Sequence, residues 1–137
     1  MQFINEIVQI YLPSTNIRRS VEWYVEVFGY SVIWETDDCA NLKLSQGPLL
    51  FLKKTDQPQS VSFVSDNQAS PVISFKSSNF LAFHEWLKAK GINVSDINEY
   101  GAGDTGPNRD FIVIDPDQNV IEVNEFSDLK LPQYRGY

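Results

Sequence analysis

Apolar and polar residues alternate along "IVQIYLP" (Ile7–Pro13), which predicts a strand. "STN" follows, and Asn16 or Ser14 offers a capping side chain to the first free amides of a helix. Over Ile17–Phe28, Val21, Tyr24, Val25 and Phe28 recur at the three-and-four spacing of a buried helical face. Gly29 supplies the left-handed residue that stops such a helix. "YSVIWET", "ANLKLS" and "PLLFLKK" then read as three strands separated by turn formers. The same order returns later: "PVISFKS", a helix near Asn79–Lys90 stopped by Gly91, then "INVSDIN", "DFIVID" and "NVIEVNEF". The unit is βαβββ, written twice.

The repeat survives a direct overlay. A shift of 63 places lays Glu85-Trp86 on Glu22-Trp23, Asn79 on Asn16, and "VISFKSSN" over "QIYLPSTN". One deletion in the second helix brings Gly91 over Gly29. Near the ends "VIEVNE" falls over "LLFLKK" at a shift of 71, because the second copy has a longer loop. The expected organisation is one α+β domain. Module 1 covers about 5–54, a polar linker 55–70, module 2 about 71–126, and a tail 127–137, with a short strand in "SVSFV" of the linker. In each module the helix covers one sheet face and leaves the other bare. Two such modules hide their bare faces by curving mixed sheets around a cleft, the default place for a ligand.

Composition narrows the partners. A chain of 137 residues, 42% hydrophobic and 13% aromatic, suits one soluble globular domain. Its net charge of −7 repels phosphate backbones, so nucleic acid is not an expected partner. No apolar run is long enough to span a membrane, and "MQFINEIVQIYLP" lacks the marks of a signal peptide. The one cysteine, Cys39, excludes an internal disulfide and a cysteine-based zinc site. A cytoplasmic setting is the expectation.

The paired βαβββ modules, "YLPSTNIRRSVEWYVEVFGY" and the closing "RDFIVIDPDQNVIEV" resemble the vicinal oxygen chelate superfamily. That group comprises glyoxalase I, bleomycin-resistance proteins, fosfomycin-resistance enzymes and extradiol dioxygenases. The resemblance spans the chain except the linker and tail, and departs at Gln118, where the family usually has Gly. It implies the glyoxalase/bleomycin-resistance fold, but one fold carries many functions. Many members are dimers, so the tail "SDLKLPQYRGY" fits packing across the molecule or across a homodimer partner; both stay open.

Metal-using members place ligands on the first and last strand of each module. The matching positions here are Gln9, Phe51, Val72 and Glu122. Phe51 and Val72 have no lone pair to give, and tight catalytic sites take three or more protein ligands. His84 sits on the second helix, away from the strands, and reads as a partly exposed helix residue. The expectation is therefore no metal cofactor. The alternative is a divalent metal ion held by Gln9 and Glu122 and completed by substrate or another subunit.

Strand parity supplies the lining. Gln9 and Tyr11 share one face, as do Leu49, Phe51 and Lys53, then Val72, Ser74 and Lys76, then Val120, Glu122 and Asn124. An apolar cavity anchored by Gln9, Tyr11, Ser74 and Glu122 suits a small amphipathic or partly aromatic molecule; the alternative is that Leu49, Phe51 and Val72 fill the space as core. Glu122, a carboxylate on an apolar strand, reads as a general base, as an anchor for a ligand amine or hydroxyl, or as an ancestral ligand bonded to Gln9. Arg109 is a candidate for an acidic ligand group. Trp23 and Trp86, equivalent on the two helices, read as packing residues. The glycine-rich stretch Tyr100–Asp110 is no phosphate loop, since it does not run from a strand into a helix; it fits a lid or a long hairpin connection. The function expected is metal-free binding of a small organic molecule. The alternatives are a lactoylglutathione-lyase-like or dioxygenase enzyme using the metal, and a metal-free acid/base enzyme working through Glu122.

Overall fold

The computed structural model describes residues 1–100 and 108–125, and the chain forms two compact units. Unit 1 holds residues 1–61 together with Asp115–Asn119. Strand β1 (Gln9–Ser14) leads into helix α1 (Ile17–Phe28), then β2 (Ser31–Glu35), β3 (Cys39–Lys43) and β4 (Leu49–Lys54). The sheet order is β1-β4-β3-β2, with β1 parallel to β4 and the other pairs antiparallel.

Helix α1 begins where the sequence predicts. The Asn16 side chain accepts from the Arg19 N–H at 3.1 Å, and Gly29, at φ 76°, turns its N–H back to the Tyr24 and Val25 carbonyls. Its buried stripe is Ile17, Ser20, Val21, Tyr24 and Val27. Val25, expected inside, is 39% exposed, because it flanks a stripe centred on Val21 and Tyr24. Leu12, Leu42, Leu50 and Leu52 are buried in the same core. Each such burial contributes about 2 kcal/mol.

The Asp115–Asn119 turn completes this unit. Tyr24 donates its hydroxyl to Asp115 at 2.6 Å, and Asn119 Nδ2 donates to the same carboxylate oxygen at 2.7 Å. The backbone N–H groups of Asp117 and Asn119 reach the other Asp115 oxygen at 2.8 and 2.9 Å. Burial, then the Asp115 carboxylate, push the Tyr24 hydroxyl well above the usual phenol range, which keeps it a donor. Asp117 accepts from the Thr15 N–H and hydroxyl, the Arg19 guanidinium and the Ser20 hydroxyl. Gln118 bends the turn at φ 68°, a left-handed value that favours glycine and accounts for the residue usual in the resembled family.

Unit 2 repeats the plan. Its strands are β5 (Phe63–Ser65), β6 (Gln68–Ser70), β7 (Ile73–Lys76), β8 (Asn98–Tyr100), β9 (Asn108–Ile114) and β10 (Val120–Asn124), with helix α2 (Phe80–Ala89). The main sheet runs β7-β10-β9-β8, matching unit 1 strand for strand. Three details depart from the sequence reading. The linker holds a two-stranded hairpin, β5–β6, turned through Asp66 and Asn67 at φ 51° and 62°, the left-handed pair of a tight hairpin turn. The strand expected over "INVSDIN" reduces to a lone bridge from Val94 to Val113, and regular pairing starts only at Asn98. His84 is 6% exposed, not partly exposed. Its Nε2 lies 2.8 Å from the Ser95 carbonyl and its ring is edge-on to Phe111 at 4.8 Å, so packing against β9 holds it inside.

Trp23 lies edge-on to Tyr24 and Phe28 at 4.9 and 5.3 Å. Trp86 stacks on Phe83 at 6.3 Å, with the Lys90 ammonium over its ring. Both are aromatic packing residues on their helices. No helix among the described residues is long and apolar enough to cross a membrane.

Candidate functional site: the two helix-free sheet faces

In unit 1 the cross-strand register sets Tyr11 beside Phe51 and Phe51 beside Asn41. A β-bulge between Val32 and Trp34 brings Trp34 opposite Asn41, so an aromatic row crosses the face away from α1. Tyr11 and Phe51 have ring centroids 5.1 Å apart, and Trp34 meets Phe51 edge-on at 5.6 Å. Tyr11 is 60% and Trp34 42% exposed. Next to this row runs an amide chain. Asn41 Nδ2 donates to Gln9 Oε1 at 2.7 Å, and Gln9 Nε2 donates to the Tyr11 hydroxyl oxygen at 3.1 Å. With that oxygen accepting from Gln9, the Tyr11 proton is directed away from the chain. Tyr11, Phe51, Asp38, Cys39, Lys53 and Asp56 line an open cavity of about 500 Å³.

The corresponding face of unit 2 is polar. Glu122 pairs with Ser74 on β7 and Ile112 on β9, and Asn124 pairs with Lys76 and Asp110. Asp110 in turn pairs with Asn98 on β8. Asn124 Nδ2 donates to Glu122 at 2.7 Å and to the Tyr100 hydroxyl oxygen at 2.6 Å. Burial, then the Glu122 charge, raise the Asp110 carboxyl above the usual range, and a hydrogen bond with Asn98 only partly opposes them. Val72, just before β7, is 59% exposed.

Two of the expected site residues are engaged elsewhere or otherwise. Arg109 lies on the α2 side of β9, its guanidinium over the Phe80 ring at 5.6 Å and bonded twice to Glu125 at 2.8 and 2.7 Å. Gln9 spends both ends of its amide on Asn41 and Tyr11. That bears on a metal of the kind the family resemblance implies. Of the four positions, Phe51 and Val72 carry no donor and the Gln9 oxygen already accepts from Asn41. Among the described residues no three His, Cys, Asp or Glu side chains are grouped to hold an ion. The donor set does not fit a chelated divalent ion.

Gln9, Tyr11 and Phe51 come together in unit 1, and Ser74 and Glu122 in unit 2. Three participants were not singled out from sequence. Trp34 depends on a bulge that simple alternation does not reveal, Asn41 on the partner it finds 32 residues away, and Asp110 on a neighbouring strand's carboxylate. Most of the glycine-rich stretch, residues 101–107, and the tail lie outside the described residues.

Similarity to known proteins agrees with this architecture. A glyoxalase/bleomycin-resistance/dioxygenase structure from Alicyclobacillus acidocaldarius aligns at a TM-score of 0.69 and 18% identity, covering 96% of this chain and 98% of that one. A glyoxalase family protein from Enterococcus faecalis aligns at 0.68 and 23% identity, covering 90% and 100%. A lactoylglutathione lyase from Agrobacterium tumefaciens aligns at 0.67 and 17% identity, covering 89% and 94%. At these identities the likeness concerns the fold. No curated protein matches the sequence. The sequence pattern of one family, however, runs through residues 4–123, nearly the whole of both modules. The chain belongs to the Glyoxalase/Bleomycin resistance protein/Dioxygenase superfamily.

Proposed function

We propose that this protein binds a small, partly aromatic organic molecule on the helix-free face of its first sheet, without a metal. The observation that carries the reading is the exposed row Tyr11–Phe51–Trp34 beside the Asn41–Gln9–Tyr11 amide chain. A flat ring laid on Phe51 and Trp34 gains the offset and edge contacts aromatic pairs prefer. The Tyr11 hydroxyl, polarised by the chain behind it, donates to an acceptor at the ring's edge. Specificity then comes from a few placed polar groups around an apolar floor. Sequestration of this kind requires saturable binding and no turnover.

The test is a thermal-shift and calorimetric screen of monocyclic aromatic alcohols and acids against protein stripped of metal. A one-to-one binder, weakened at least about tenfold by Phe51→Ala through the lost ring contact, supports the reading. An absence of saturable binders, or binding indifferent to Phe51→Ala and Tyr11→Phe, overturns it. Dialysis against nickel, zinc, iron and manganese gives the second arm. Stoichiometric retention that falls in both Gln9→Ala and Glu122→Ala would restore the lyase or dioxygenase in its place.

A further inference from the structure

Among the described residues, the helix-free face of the second sheet has acceptors in excess of donors. Asn124 is 2% exposed, and its side chain lies on this face, since Nδ2 reaches Glu122 and Tyr100. Those two bonds use both N–H groups of the amide. Its Oδ1 is buried and meets no hydrogen-bond donor among the described residues. The reverse amide orientation would let Oδ1 accept from the Tyr100 hydroxyl, but only by setting it against the Glu122 oxygen, acceptor against acceptor, in place of the 2.7 Å bond. A buried acceptor left unmade costs far more than an average hydrogen bond contributes, so such a group calls for an explanation.

The surroundings point the same way. Glu122 and Asp110 are acceptors when ionised, and they lie close enough for the charge of one to act on the other. Asn98 bonds to Asp110, and Ser74 stands beside Glu122 in the register. Lys76, next to Asn124 across the parallel pair, sets one positive charge against the two carboxylates. Among the described residues of this face the balance is one excess negative charge and one orphaned oxygen. Both are met by the same kind of group, a cation rich in N–H donors.

We propose that this face binds the ammonium group of a small organic amine, with Glu122 and Asp110 as the charged partners and Asn124 Oδ1 as the neutral acceptor. The proposal goes beyond the reading above and assigns a separate site, on the sheet of unit 2 alone. An ammonium ion has three donors and no acceptor, which matches two carboxylates and an amide oxygen. A neutral alcohol supplies one donor, and a carboxylate none.

The experiment uses probes without an aromatic ring, so that its result is independent of the Tyr11–Phe51–Trp34 row. Cyclohexylamine, cyclohexanol and cyclohexanecarboxylate are titrated into the full chain at low salt and followed by amide chemical shifts. Cyclohexylamine is expected to bind at least about tenfold more tightly than cyclohexanol, a charge-assisted bond being worth that much. The shifts should centre on Ser74, Asp110 and Glu122, and the amine preference should shrink to within about threefold in Glu122→Gln and in Asp110→Asn. Equal binding of amine and alcohol, no binding of the amine, or a preference that survives both variants overturns the proposal. If the amine fails while the aromatic screen still finds a Phe51-dependent binder, the reading of the first sheet stands and only the present proposal is lost. If both fail, the two fall separately, each on its own readout.

Discussion

Two carboxylate clusters in this molecule draw on the same residue types and come out opposite. In the Asp115–Asn119 turn, Asp117 collects donors from Thr15, Ser20 and Arg19, while Asp115 takes four more from Tyr24, Asn119 and two backbone amides. On the helix-free face of the second sheet, Asp110 has Asn98 and the charge of Glu122, and the buried Oδ1 of Asn124 has no donor among the described residues. Burial opposes ionisation at Asp117 and at Asp110. At Asp117 the donors outweigh it and the carboxyl sits below its usual range; at Asp110 a second negative charge adds to it and the carboxyl sits above. The difference is donor supply, not sequence chemistry. A cluster that satisfies itself serves the fold, whereas one that stays short of donors is where an incoming molecule gains most.

The sharpest way to break this contrast is to remove the centre of the satisfied cluster. Asp115→Ala strands the Tyr24 hydroxyl, the Asn119 amide and two backbone N–H groups inside unit 1. The expected loss is about 3 kcal/mol or more, since each buried donor left unpaired costs about 1–3 kcal/mol. Denaturant unfolding measures it. Glu122→Ala, on the donor-poor face, should cost well under half as much. Equal losses would mean that both clusters serve the fold alike.

Titration gives a second, smaller contrast with opposite signs. The folded-state pKa of Asp117 lies below its unfolded value of about 3.9, so its stabilisation is complete above that value. It is lost as pH falls through the folded pKa, and Asp117→Asn should flatten that acid limb. Asp110 behaves in reverse. Its folded pKa is raised, so the folded state binds its proton more readily, and stability from this group falls as pH rises through the folded value. Asp110→Asn should therefore raise the melting temperature at pH 7 and leave it nearly unchanged at pH 3. A fall at pH 7 would show that Asp110 has donors enough.

What could be read from the sequence follows the range of the interactions. Periods of two and 3.6, a cap and a closing glycine are local, so "IVQIYLP", Asn16, α1 and Gly29 were legible, as was the duplication that sets both sheet orders. Strand parity placed Gln9, Tyr11 and Phe51 on one face, and Ser74, Glu122 and Asn124 on another. Contacts spanning many residues were not legible. "DPDQN" reads as an ordinary turn until Thr15, about a hundred residues earlier, supplies its donors. His84 resembles a surface helix residue until Phe111 and the Ser95 carbonyl enclose it. Trp34 needed a bulge, one extra residue that reverses the faces of everything after it.

The smallest predicted effect compares the two copies at one equivalent position. Asn16 and Asn79 both stand at the start of a helix, 63 residues apart, and their letters promise the same cap. Asn16, extended at φ −150°, holds the Arg19 N–H, whereas Asn79, at φ −118° and ψ 50°, makes no capping bond with its side chain. Asn16→Ala should cost about 1 kcal/mol and Asn79→Ala no more than a few tenths, about the spread between a working cap and an idle one. Unfolding of the two variants side by side measures the gap. Equal costs would mean that Asn79 turns into its cap in solution, and the two modules would then share the helix start that their sequences share.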